Sequence, residues 1–124
     1  EKAISYANDR KVFNQAISRY GLTRTKLALM AAKLAACRQY TYKVGRLMDQ
    51  GQGQMEASLV KLLACKASEW ITREAMQIHG GMGYAEETAV SRYWLDARVL
   101  SIFEGTEETL ALKVVGRSLV EKAS

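Results

Sequence analysis

No proline occurs anywhere in the 124 residues, against an average usage of about 5%. Proline interrupts helices because it lacks the backbone N–H and its ring clashes with the preceding turn. A chain without it can run in long helices, and here the apolar residues are mostly Ala, Leu, Met and Ile, which favour helix over sheet. With 48% hydrophobic and 25% charged residues, the sequence is far from disordered composition and can bury a core. The length suits one unit, so residues 1–124 are expected to form a single helical-bundle domain. Because Glu1 opens directly into helix-like sequence without an initiator Met, that domain reads as a fragment of a larger chain.

Apolar spacing divides the chain into helical segments. Residues 1–13 place Ile4, Ala7 and Val12 near one face, as in the tail of a helix. From Leu22 to Met48 a long pattern carries Leu27, Met30, Ala31, Leu34 and Ala35 in one stripe, with Lys26, Lys33 and Arg38 largely off it. The polar, glycine-containing stretch from Asp49 to Gln54 breaks the pattern and implies antiparallel neighbours. A second long helix is predicted from about Glu56 to Ile78, with Leu59, Leu62, Leu63, Cys65, Ile71, Ala75 and Ile78 available for burial. It should stop at Gly80-Gly81-Met82-Gly83, where glycines supply the φ > 0 conformations of a cap or turn. Residues 88–97 allow a short helix, and Arg98 to Phe103 reads as extended or irregular. The last helix opens with Thr106 as N-cap and Glu107 and Glu108 in its first turn, where negative charge complements the dipole. Leu112, Val115 and Leu119 continue its stripe, and Ser118 onward looks like a solvated tail. The expected fold class is all-α, an antiparallel four-helix bundle.

Several functions are disfavoured. Eighteen Lys and Arg against thirteen Asp and Glu give a net charge of +5, suited to phosphates or acidic carriers, but no basic run reaches five residues, so nucleic acid is not expected as a partner. Cys37 and Cys65 lie in Ala-rich helical stretches without ligand spacing, and read as reduced thiols rather than a metal or redox pair; no metal site is expected. No apolar run approaches the ~18 residues of a membrane span.

Two segments exceed what a bundle needs. In Gln77-Ile-His-Gly-Gly-Met-Gly-Tyr84 three glycines stand where one would make the turn, and they would admit close approach of another group such as a phosphate. His79, a single imidazole without a second ligand, reads as structural. In Asp96-Ala-Arg-Val-Leu-Ser-Ile-Phe-Glu104-Gly-Thr106 a carboxylate follows an apolar run. Burial there would raise its pKa towards that of a general base, and Gly105 would leave room for a substrate; an acidic residue placed merely by the helix dipole is the competing reading.

Together, the Gln77 to Tyr84 segment, Arg92-Tyr-Trp-Leu-Asp-Ala-Arg98, Phe103-Glu-Gly-Thr106 and the early Tyr6-Ala-Asn-Asp-Arg-Lys-Val-Phe13 resemble, in letters, order and separation, the C-terminal helical domain of acyl-CoA dehydrogenases. The resemblance covers essentially the whole chain. It implies an FAD enzyme that oxidises an acyl-CoA thioester to the trans-2,3-enoyl-CoA. A glutamate matching Glu104 would remove the α-proton while hydride leaves to flavin N5. The thioester carbonyl, bonded by the flavin ribose and by the base's own backbone N–H, would acidify the α-carbon. By the same matching, Arg10, Phe13, Gln77, Gly80, Gly81, Thr106 and Glu108 would bind the cofactor, and Gly105 the substrate. The implied partners are acyl-CoA, electron-transferring flavoprotein as acceptor, and further copies in a homodimer or homotetramer. The implied compartment is a bacterial cytoplasm or a mitochondrial matrix.

The sequence departs from the family's usual pattern at Asn14, Gly21, Phe103, Glu107 and Ala111. The family's N-terminal helical and middle β-domains are also absent, so these residues alone are not expected to be catalytic. Beside the dehydrogenase stand a relative acting as acyl-CoA oxidase or in association with nucleic acid, and a non-catalytic oligomerisation bundle. Acyl chain length and branching are not readable from these residues.

Overall fold

The computed structural model describes residues 1–123. Helix α1 (Lys2–Asp9) leads into a two-residue hairpin, β1 (Lys11–Val12) and β2 (Gln15–Ala16), then a 3₁₀ turn at Ile17–Arg19. The long helices α2 (Gly21–Met48) and α3 (Gln54–His79) follow, then a single turn α4 (Gly81–Tyr84) and α5 (Ala89–Val99). The last helix starts as α6 (Glu107–Thr109), widens to π-helix over Leu110–Gly116, and resumes as α7 (Arg117–Ala123).

Helices α2 and α3 lie antiparallel, as the short connection requires. Lys26 pairs with Glu74, the Lys33 ammonium stands 5.1 Å from the centre of the Trp70 ring, and Gly53 sits against Leu47, so partners descend on one helix as they ascend on the other. Helix α3 is the hub. Arg98 of α5 reaches its Glu69 at 3.8 Å, Glu107 of α6 meets its Lys66 at 3.6 Å, and α1 packs Ala3 and Ala7 against Ile78. Alanines on α1 let its backbone come close to α3, and Tyr6, Ile17, Leu27, Met30 and Ala75 fill the surroundings. The all-α antiparallel bundle expected from the sequence is what forms.

Five local expectations are corrected. Helix α1 ends at Asp9, not near Phe13, because Phe13 and Asn14 adopt φ of 49° and 62°, the left-handed pair that closes a two-residue hairpin. Ala3 and Ala7 are buried, whereas Ile4 is half exposed. On α2 the covered residues are Thr23, Lys26, Leu27, Met30, Cys37, Tyr40, Val44 and Leu47, so of the expected stripe Leu27 and Met30 are covered while Ala31, Leu34 and Ala35 are exposed. This helix is apolar on two sides, and its own chain covers only one. In the last helix Val115 is buried but Leu112 and Leu119 are exposed, since the π-helical stretch turns more slowly than 3.6 residues per turn and swings the stripe round. Residues 117–123 are helical rather than a tail, with Arg117 Nε donating to Glu121 Oε1 at 2.6 Å; Ser124 lies outside the described residues. Among the described residues no helix is long and apolar enough to cross a membrane.

Candidate functional site

The residues singled out from the sequence gather at two turns and a hairpin. At the first turn α3 ends on Gly80, whose φ of 59° favours glycine. Gly83 is buried so tightly that a Cβ there would lie 2.3 Å from the Met76 carbonyl oxygen, which welds α4 onto the last turn of α3. Gly81 differs: a Cβ would meet nothing within 4 Å, so no contact inside this chain excludes a side chain. His79 is buried and structural, as expected. Its ring stacks on Tyr6 at 4.3 Å, and Nδ1 lies 2.7 Å from the Ala75 carbonyl, towards which an Nδ1–H would donate.

The hairpin brings Arg10 to this turn. A cavity of about 590 Å³ is lined by Arg10, Tyr6 and Ile17 on one side and by His79, Gly80 and Gly81 on the other. Gln77 faces a different cavity, of about 310 Å³, with Arg73, Tyr84 and Trp94, and only Gly80 borders both. Phe13, at the hairpin tip, is 91% exposed and lines neither.

The second turn carries Glu104, Gly105 and Thr106. Backbone bonds from Ile102 and Phe103 to the Val99 carbonyl end α5. Glu104 then takes a φ of 55° and Gly105 one of 91°. A left-handed glutamate costs of order 1 kcal/mol or more and persists only where its surroundings hold it. What holds it is Lys61, on the facing side of α3. Its Nζ donates to the Phe103 carbonyl at 2.5 Å, to that of Glu104 at 2.8 Å, and also to that of Gly105. Among the described residues the backbone N–H groups of Glu104 and Gly105 make no hydrogen bond, so both remain free to donate outward. Thr106 caps the last helix as expected, its Oγ1 accepting from the Thr109 N–H at 3.2 Å.

Glu104 does not sit in the apolar pocket that the preceding sequence suggests. Its side chain is exposed, because the turn projects from the bundle surface and the apolar Ile102 and Phe103 beside it are about half exposed too. Glu108 lines a third cavity, of about 470 Å³, with Leu59, Leu62, Lys66 and Glu107. The expected cofactor residues thus fall into separate groups, with Arg10, Gly80 and Gly81 together and Thr106 and Glu108 together, and the chain alone closes neither group into one pocket.

Lys61 is the participant that sequence reasoning missed. It lies mid-helix among apolar residues and gives no motif signal. Cys37 and Cys65 are free thiols, and burial pushes the Cys65 thiol above its ordinary pKa, with Sγ 3.3 Å from the Leu100 carbonyl. Among the described residues no group of three or more His, Cys, Asp or Glu is placed to hold a metal ion.

The residues present fit the phosphates of a dinucleotide cofactor such as the family's flavin. A guanidinium and a glycine with open space above it border the largest of these cavities, which suits a pyrophosphate approaching closely.

Comparison with known proteins identifies the family. The family described as acyl-CoA dehydrogenase, C-terminal domain, matches residues 1–120. The short-chain specific acyl-CoA dehydrogenase of Bos taurus mitochondria is 39% identical over 118 residues, spanning 94% of this chain and 29% of that protein. Subunit CarC of the caffeyl-CoA reductase-Etf complex of Acetobacterium woodii is 37% identical over 120 residues, spanning 96% and 32%. Butyryl-CoA dehydrogenase from Megasphaera elsdenii superposes with a TM-score of 0.92 at 33% identity, over 96% of this chain and 31% of the other. The chain therefore spans about a third of the length of such relatives. By fold, motif order and similarity, it belongs to the acyl-CoA dehydrogenase family, as the C-terminal helical domain.

Proposed function

We propose that this domain serves an FAD-dependent acyl-CoA dehydrogenase in which Glu104 removes the α-proton of an acyl-CoA thioester to give the trans-2,3-enoyl-CoA. The observation that carries this reading is the strained turn: a glutamate held at φ 55°, exposed, with its own N–H unpaired beside it. A thioester oxygen accepting from that N–H would place its α-carbon near the carboxylate of the same residue, so one turn would both acidify the proton and take it. Gly105, next to the base, presents no side chain to the substrate. FAD, when bound, supplies the acceptor for the hydride leaving the β-carbon.

Arg10, Gly80 and Gly81 would hold the cofactor's phosphates, with Phe13 and Gln77 at its edges. Thr106 and Glu108 would face it at the start of the last helix. Exposed Leu22, Leu29 and Leu34 on α2, together with the wholly exposed Phe13, support assembly with further copies as a dimer or tetramer. Electron-transferring flavoprotein is the proposed acceptor, supported by similarity to a subunit of a reductase-Etf complex. The same similarity supports a second reading, reduction of an enoyl thioester, in which Glu104 returns the proton.

The test uses the longest natural chain carrying this domain. Its visible spectrum is recorded with a panel of acyl-CoA thioesters, in wild type and Glu104→Gln. A yellow protein bleached by one acyl-CoA is expected, with the rate about 10³-fold slower in the variant. A colourless protein, or bleaching equally fast in the variant, overturns the reading.

A further inference from the structure

The geometry points to Lys61 as a positioning residue for the reacting turn: its ammonium fixes Glu104 and polarises the Glu104 N–H towards the substrate's carbonyl oxygen. This inference rests on Glu104 being the base.

A lysine ammonium has three N–H donors, and here all three acceptors are the consecutive carbonyls of Phe103, Glu104 and Gly105. Lys61 has no carboxylate partner among the described residues, whereas Lys66, five residues further along α3, pairs with Glu107. The charge is therefore spent on backbone. Three carbonyls can converge on one nitrogen only if the chain curls round it, and the positive φ values at Glu104 and Gly105 are that curl. Relaxing Glu104 to an ordinary φ would rotate at least one carbonyl away, so the cation offsets the strain.

The second consequence is electronic. The Phe103 carbonyl and the Glu104 N–H belong to one peptide group. A cation on its oxygen draws electron density across the amide and makes the N–H a stronger donor, as in any hydrogen-bond chain. Among the described residues that N–H has no partner, so it is available to a substrate oxygen on which enolate charge develops. The effect grows with charge on the substrate oxygen, so it favours the transition state over the bound ground state.

The experiment compares flavin-loaded wild type, Lys61→Met and Lys61→Gln of the full chain, using the acyl-CoA that bleaches the wild type. In Lys61→Met the bleaching rate should fall about 10- to 100-fold, less than the roughly 10²- to 10³-fold of losing an oxyanion donor outright, because the Glu104 N–H itself remains. Its half-saturating acyl-CoA concentration should change less than about threefold, as expected when an interaction made mainly in the transition state is removed. Lys61→Gln, which keeps a donor, should recover part of the rate. The thioester C=O stretch of the bound enoyl product should move to higher wavenumber in Lys61→Met, a change that simple loosening of the fold would not produce without also weakening binding.

A flavin-loaded Lys61→Met that bleaches within twofold of wild type, while Glu104→Gln is inactive, overturns the proposal and leaves the base assignment standing. Bleaching unaffected in Glu104→Gln removes the base assignment, and the carbonyl stretch then decides by itself whether Lys61 polarises the N–H. Should Lys61→Met fail to hold flavin, Lys61→Gln takes its place. A wild-type measurement needs no variant: with ¹³C-carbonyl Phe and ¹⁵Nζ Lys, a dipolar coupling between one lysine and the Phe103 carbonyl is expected, and its absence overturns the geometry.

Discussion

The turn after α3 and the turn after α5 hold the same kind of backbone, left-handed and glycine-bearing, by opposite means. At Gly80 to Tyr84 the restraint is steric: Gly83 lies against the Met76 carbonyl with no room for a methyl group, and the buried Ile78 and His79 anchor the helix end. At Phe103 to Thr106 the restraint is electrostatic: one ammonium gathers three carbonyls while the side chains remain exposed. A packed turn tolerates no change of shape. A turn tethered through its backbone leaves its side chains free to meet a ligand, and Glu104 is on the tethered one.

This contrast is broken most directly at Gly83. Gly83→Ala should destabilise the domain by about 3 kcal/mol, the upper range for overpacking against backbone, seen as a lower midpoint in urea. A midpoint close to wild type would show that α4 moves freely and that the first turn is not sterically held. Next in size is the cap of the tethered turn. Thr106→Ala, which removes the Oγ1 acceptor for the Thr109 N–H, should cost about 1 kcal/mol in the same assay. Smallest is Gly81→Ala, which should leave the urea midpoint within about 0.5 kcal/mol because the space above Gly81 is open. In the full-length protein the same substitution should weaken flavin retention, measured as flavin content after dialysis. Equal retention would sever Gly81 from the cofactor.

What could be read from sequence follows the same division. Glycine runs and a Thr-Glu-Glu helix start are local signals, so the end of α3 and the Thr106 cap stand where spacing put them. The hairpin was hidden because Val12 prolongs a helical pattern and Phe13 is a residue that rarely adopts positive φ. The π-helical stretch carries no pattern of its own. Its only trace is Gly116, where a Cβ would lie 2.7 Å from the Ala111 carbonyl. On α2 the apolar stripe was visible, but nothing local says which of two apolar sides the chain itself covers. Glu104 stands out in the sequence as a carboxylate after an apolar run, and the resemblance favours the base over the dipole reading, but its exposure is not legible there, since burial depends on what lies beyond the bundle. Lys61 acts across 42 to 44 residues of sequence, on backbone atoms that every residue possesses, so no choice of residue type at its targets advertises the contact.

Both turns are referenced to α3, one through Lys61 and the other through its C-terminal end at Gly80. At ~1.5 Å per residue, the rod between these points measures about 28 Å. Such a rod is a gauge. Where a flexible linker would absorb an inserted residue, a helix converts it into ~1.5 Å of travel and a 100° rotation of one turn against the other. The interval between the proposed proton-abstracting residue and the proposed phosphate cradle is thus set by a count of residues in one helix, and length, more than the identity of most residues between, is what that segment has to keep.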